Sequence, residues 1–286
     1  MVVDMSIDTE EDTVTYFSFS EVMEEIEKKA EKVRTMSMLE VLGRCEEDAE
    51  ISAIKKKLLS NRLLKLLRNG TIEEKKESLK TVCKDCVFIW EARNIGIELG
   101  LKLHAENKVY VDFLGRFRDS KKLEWEELAN TLGALGGGTP EEVLKDHIPS
   151  PRSQTFAATY SWVLATQNPA YTVVGLHIGC RILVEVCTML MAFLKPDLEA
   201  LDLTEEDLGF FGMYALVDSI DMHFDYAGFC RGAQRIFEES CRKDGFNYEG
   251  FSTTLQLLLH SKLDFYEGHV RPELMLKYRE CFQRAF

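Results

Sequence analysis

Apolar residues recur along this chain at intervals of three and four, the period of a helix with one buried face. The series Val22, Ile26, Ala30 and Val33 follows a capping pair, Ser18 and Glu21, and predicts a helix over about 18–34. A second is expected over roughly 48–68, ending at Asn69-Gly70. Thr71 and Glu74 cap a long helix that runs through Trp90 toward Leu103. Others are expected at about 106–118 and 123–132. The run Gly133–Gly138 breaks the chain, and Thr139, Pro140 and Glu142 restart it with a cap, a first-turn proline and a capping glutamate. The glycine run is no phosphate loop, because no strand precedes it and no Gly-Lys-Ser/Thr follows. Helices are then expected at about 153–167, 170–194, 204–224, 226–243 and 247–270, with Thr204 a further cap. No strand pattern and no repeat emerges. The expected fold class is all-α, a helical bundle with short links.

Residues 1–15 are acidic and without periodicity. Residues 1–60 therefore read as an acidic N-terminal extension, partly disordered and partly helical, and 61–286 as the bundle domain. A hydrophobic content of 45% is enough for a sizeable core in 286 residues. The net charge of -13 disfavours nucleic acid and anionic lipid as partners. The most apolar stretch, Tyr171 to Leu194, contains His177, Arg181 and Glu185, which makes a buried helix a better expectation than a membrane span. The N-terminal stretch has no apolar core of the kind an export signal needs, so the eight cysteines are expected as reduced thiols and the protein as cytoplasmic. Cys83 and Cys86 make a lone CxxC without the second pair of a zinc site, and read as small buried residues on one helix face.

Polar residues at helical spacing on otherwise apolar helices carry the candidate chemistry. His177, Arg181 and Glu185 are spaced four and four; Tyr214, Asp218, Asp221 and Asp225 four, three and four. Glu91, Asn94 and Glu98 form another stripe, and His260, Asp264 and Glu267 another. Uncompensated buried charge costs several kcal/mol, so such groups must be paired, solvated or ligand-bound. Facing one cavity, they would make a polar small-molecule site or a carboxylate-rich metal site. Each stripe also admits a plainer role: an Arg181–Glu185 salt bridge, a solvated acidic face, a capped surface pair at His260 and Asp264, and surface residues at Glu91 and Glu98. The chain has no Glu-x-x-His, the usual pattern of a helical di-iron site.

The order of segments from Asn61 to Val270 resembles the heme-oxygenase-like fold shared by TenA, PqqC and the CADD-type diiron oxidases. The resemblance is carried by "NRLLKLLRNGTI", "KDCVFIWEA", "LEWEELANTLGALGGGTPEEVLKDHIPSP", "TYSWVL", "GLHIGCRILVEV" and "TEEDLGFFGMYALVDSIDMHFDYA". The TenA likeness implies roles for Asp85, for Cys180 as nucleophile and for Asp264 in place of a glutamate, with Tyr160 as a pocket tyrosine. An aliphatic residue, Leu183 or Val184, replaces a family tyrosine. The CADD likeness aligns a metal-ligand set with Glu185, Tyr214, Asp218 and Asp221, and with positions near Asp112 and Lys121. The family histidines are lost, so no metal is expected; were iron bound, Glu91, Glu98, Glu185, Asp218, His260 and Asp264 would be the ligand candidates.

The resulting expectation is an enzyme modifying a small metabolite in an internal polar pocket, most naturally an oxidase or oxygenase. Cys180, Glu185, His260 and Asp264 would be catalytic, and Asp85, Tyr160, His177, Arg181, Tyr214, Asp218 and Asp221 would bind substrate. A thiol-dependent hydrolase built on Cys180 and a non-catalytic interaction protein are the alternatives. The cofactor is open, with none or iron considered, and a homodimer is a possible assembly.

Overall fold

The computed structural model describes residues 37–119, 122–215, 226–244 and 246–268. These belong to a compact unit that begins at Val33. No strand occurs among the described residues. The helices are α1 (Met38–Glu47), α2 (Ala49–Leu58), α3 (Arg62–Asn69), α4 (Ile72–Leu103), α5 (Lys108–Asp119), α6 (Lys122–Ala134) and α7 (Pro140–Asp146). They continue as α8 (Pro151–Thr166), α9 (Pro169–Leu194), α10 (Leu198–Leu201), α11 (Gly209–Ala215), α12 (Tyr226–Asp244) and α13 (Tyr248–Gly268). The expected helix at 18–34 and the residues Lys121, Asp218, Asp221 and Asp225 lie outside the described residues.

Caps set most of these boundaries. Thr71 with Glu74, and Thr139 with Glu142, form reciprocal capping boxes at α4 and α7. The same chemistry starts α1, which the periodicity did not suggest: Ser37 accepts from Glu40 N while Glu40 reaches back to Ser37 N. The helix expected over 48–68 is two helices. Asn61 separates them, its Nδ2 donating to Leu58 O at 2.6 Å and its Oδ1 accepting from Leu64 N at 2.9 Å. One buried side chain thus satisfies the last carbonyl of α2 and one of the first amides of α3.

α9 is the central helix, packed on α2, α3, α11, α12 and α13. By length and composition alone the segment Pro169–Leu201 could cross a bilayer, but half of its most apolar window is buried inside this bundle. α1 and α2, within the stretch expected as an extension, bury Met38, Val41, Ile51, Ile54 and Leu58. The tightest helix pair is α4 with α8. A Cβ added at Gly96 would fall 2.7 Å from Ser161 Cα, and one at Gly100 would fall 2.7 Å from Leu164 O. Two glycines one turn apart therefore let the two backbones touch. Below this contact, Asp85 on α4 fastens the proline-containing connector. His147 Nε2 lies 2.7 Å from its Oδ1, and Ser153 Oγ donates to its Oδ2.

This geometry sets an expected outcome. Gly96→Ala should cost about 1–3 kcal/mol by overpacking. Gly115→Ala on α5, where the added methyl meets nothing within 4 Å, should be neutral or stabilising by up to about 1 kcal/mol. Chemical denaturation of the two variants beside the wild type checks the contrast.

Candidate functional site

Seven helices, α3, α4, α6, α8, α9, α11 and α13, close around one cavity of about 130 Å³. Most of its wall is apolar, including Leu176, Leu183, Phe156, Phe210, Leu258 and Phe265. The polar groups in the wall are few: Trp90, Arg93, Glu124, Tyr160, Tyr214, Lys262, Tyr266 and the thiols of Cys86, Cys180 and Cys187. Each helix aims its share by spacing. Val82, Cys86, Ile89 and Arg93 descend one face of α4, and Leu258, Leu259, Lys262, Phe265 and Tyr266 one face of α13.

Arg93 is buried at 4% exposure and is neutralised by Glu124 from α6. The pairing is one-sided. A single nitrogen, Nη1, serves both carboxylate oxygens, at 2.9 and 3.1 Å. The other edge of the guanidinium, Nε and Nη2, has no hydrogen-bond partner among the described residues. That edge is the two-pronged fork that matches a carboxylate. Glu124 and burial act in opposite directions on Arg93: desolvation works against its charge, and the nearby carboxylate holds its pKa above the ordinary value. The guanidinium also lies 5.5 Å from the ring centre of Trp90, whose ring lies 4.2 Å from that of Trp125 with the planes tilted by 38°. Trp90 Nε1 is likewise buried without a hydrogen-bond partner among the described residues. Tyr214 hydrogen-bonds to Glu124, and burial pushes the hydroxyls of Tyr160 and Tyr214 upward in pKa, so both remain proton donors.

Lys262 enters the cavity from α13 at 8% exposure. Its Nζ donates to Gly179 O on α9 at 3.0 Å. Burial lowers its pKa, an effect the neighbouring thiols only partly oppose. Desolvation raises the Cys86 thiol and pushes Cys187 up to about 12, so both stay protonated. Gly179 itself leaves open space: a Cβ there would meet nothing within 4 Å.

Of the residues expected to form the site, Cys180, Tyr160 and Tyr214 line the cavity. Asp85, His177, Arg181, Glu185, His260 and Asp264 do not. Asp85 is committed to the connector, as above. Arg181 and Glu185 do not pair with each other. Arg181 meets Glu46 at 3.6 Å and Glu185 meets Lys55 at 2.8 Å, with side chains 43% and 38% exposed. At about 100° per residue, their stripe lies on the side of α9 away from Cys180 and Leu183. The polar stripe of an apolar helix here meets the polar edges of α1 and α2 instead of a cavity. His177, further along that side, is fully buried, and burial together with Arg181 lowers its pKa to about 3, so it is neutral. His260 and Asp264 are exposed on the outer face of α13. Asp218 and Asp221 lie outside the described residues.

The alternative iron ligands are scattered. Glu98 pairs with Arg118 at the surface, and Glu185, His260 and Asp264 occupy outward positions. Among the described residues, no three His, Cys, Asp or Glu side chains are grouped to hold a metal ion. The described donor set therefore does not fit an iron centre.

Sequence reasoning missed Arg93, Glu124 and Lys262. Their signal was present in another form: each is a lone charge at a position where the helical period calls for an apolar residue. No protein-family model matches this sequence, and no curated protein is significantly similar to it.

The buried lysine gives the site a pH signature. Its folded-state pKa lies below the ordinary value of 10.5, so the unfolded chain binds more protons between the two values. Stability must therefore rise with pH through that window as the cost of burying the ammonium disappears. Lys262→Met is expected to be more stable than wild type near neutral pH, by on the order of 1–3 kcal/mol. The difference should shrink as pH approaches 10. Denaturation of both proteins at a series of pH values checks it.

Proposed function

We propose that this protein is a small-molecule-modifying enzyme whose substrate is a small, largely apolar organic acid held in the bundle cavity. The observation that carries this reading is the open Nε/Nη2 edge of Arg93. A buried guanidinium fork without a partner is costly in an apolar protein interior and finds its match in a carboxylate. The volume is close to that of an engineered cavity of about 150 Å³ that takes benzene, so a ring or short chain bearing one acidic group is the right size. The apolar wall supplies most of the contact area, and the few polar groups orient the ligand.

The all-helical architecture is in keeping with a heme-oxygenase-like bundle, and the sequence likeness to that fold is what favours oxidase or oxygenase chemistry. Tyr160 and Tyr214 are the groups placed to hand a proton to a bound molecule, and Glu124, shared between Arg93 and Tyr214, fixes both. A thiol-dependent hydrolase is the second reading, favoured by the presence of Cys180 in the cavity wall. In that reading His177 is not placed to activate the thiol, because it lies off the wall.

Benzoate is the simplest probe. Its binding should perturb Trp90 emission saturably and raise the melting temperature. Gly179→Leu starts its side chain in open space, the added Cβ meeting nothing within 4 Å, and gains helix propensity of up to about 1 kcal/mol. It should fold at least as well as wild type and lose the saturable response. An unresponsive wild type, or equal binding by the filled variant, would remove the cavity from consideration.

A further inference from the structure

We propose that Lys262 forms an imine with the carbonyl of its ligand, so that the cavity takes small oxo acids rather than simple carboxylic acids. This rests on the carboxylate reading of Arg93 above and adds a reacting group to it. Three features of the site lead there. The lysine sits in a mostly apolar stretch of wall, with Leu258, Leu259 and Phe265 on its own helix, and among the described residues no carboxylate pairs with it. An amine in such surroundings holds its proton less firmly, which is the usual activation of a nucleophilic lysine. Its one described hydrogen bond is to the carbonyl of Gly179 at 3.0 Å. That bond fixes Nζ at the point on α9 where the missing side chain leaves room for a ligand.

The step balances without a further reactant. The neutral amine attacks the carbonyl carbon through its nitrogen lone pair, and the C–O π electrons move to oxygen. The carbinolamine then loses that oxygen as water, with both amine hydrogens, and the C=N bond forms. Tyr160 and Tyr214, whose hydroxyls stay protonated, can lend a proton to the departing oxygen and recover it afterwards. Arg93 meanwhile anchors the carboxylate and draws electrons from the adjacent carbonyl. The mostly apolar wall offers water few partners beside the C=N bond, which favours the imine over its hydrolysis.

Reductive trapping tests this. The full-length protein is incubated near neutral pH with cyanoborohydride and either pyruvate, whose carbonyl adjoins its carboxylate, or 4-formylbenzoate, whose carbonyl lies across a ring. Adducts are located by peptide mass spectrometry. With at least one of the two probes, Lys262 should be modified on the order of ten times faster than any exposed lysine, as befits a desolvated amine held beside the bound ligand. Excess benzoate should suppress this labelling, and Gly179→Leu should abolish it. Lys262→Met should leave only the slow background. Labelling no faster at Lys262 than at surface lysines, with both probes, would overturn the imine. If benzoate still binds in that case, the carboxylate reading survives on its own. Fast Lys262 labelling that benzoate fails to suppress would keep the imine and discard the Arg93 anchor.

Discussion

The Arg93–Glu124 pair is the interaction around which the interior is built. Removing a guanidinium and a carboxylate from water costs several kcal/mol for each ion, and the pair repays this only when its remaining hydrogen-bonding capacity is met. Here the carboxylate is well served, by Nη1 of Arg93 and by Tyr214. The guanidinium is served on one edge and by the face of Trp90. Arg93 lines a space that seven helices leave unfilled. A bundle selected for stability alone would close that space with apolar side chains. Keeping both an opening and an unmatched fork makes physical sense when a ligand completes the pair.

The surrounding packing explains how such an opening persists. Gly96 and Gly100 bring α4 and α8 into backbone contact, so Arg93 and Tyr160 are held on a rigid two-helix unit. The Asp85–His147–Ser153 cluster pins the connector that delivers α8 to that position. On the far side, α9 contributes a glycine at position 179 where a larger residue would fill the cavity. Lys262 then spans from α13 to the carbonyl exposed at that point. Close contact on one side and a missing side chain on the other produce a cavity without loosening the bundle.

Much of the fold was legible in the sequence because helix caps are local chemistry. Thr71, Thr139 and the proline at 140 announced their helices, and the structure places α4 and α7 accordingly. The break at Asn61 was not legible, since its decisive feature is a side chain that bonds to both neighbouring helices at once. The site was legible only in part. Cys180 and Tyr160 came from a family likeness, Tyr214 from a polar stripe as well as that likeness, and all three line the cavity. The polar stripes misdirected the rest: a stripe such as Arg181–Glu185 marks where a helix meets polar neighbours, and its partners, Glu46 and Lys55, come from distant sequence. Single charges in the apolar register, at Arg93, Glu124 and Lys262, were the better sign of an internal site. They were easy to overlook because one charge breaks the periodicity so little.

The most direct measurement is a crystal structure of the protein with 4-bromobenzoate, with the bromine located by its anomalous scattering. The expected result is a bromine among the apolar side chains of the cavity and a carboxylate within hydrogen-bond distance of Nε and Nη2 of Arg93. A ligand bound only outside the cavity, or seated inside with its carboxylate turned away from Arg93, would contradict the claim that this pair is completed by an organic acid.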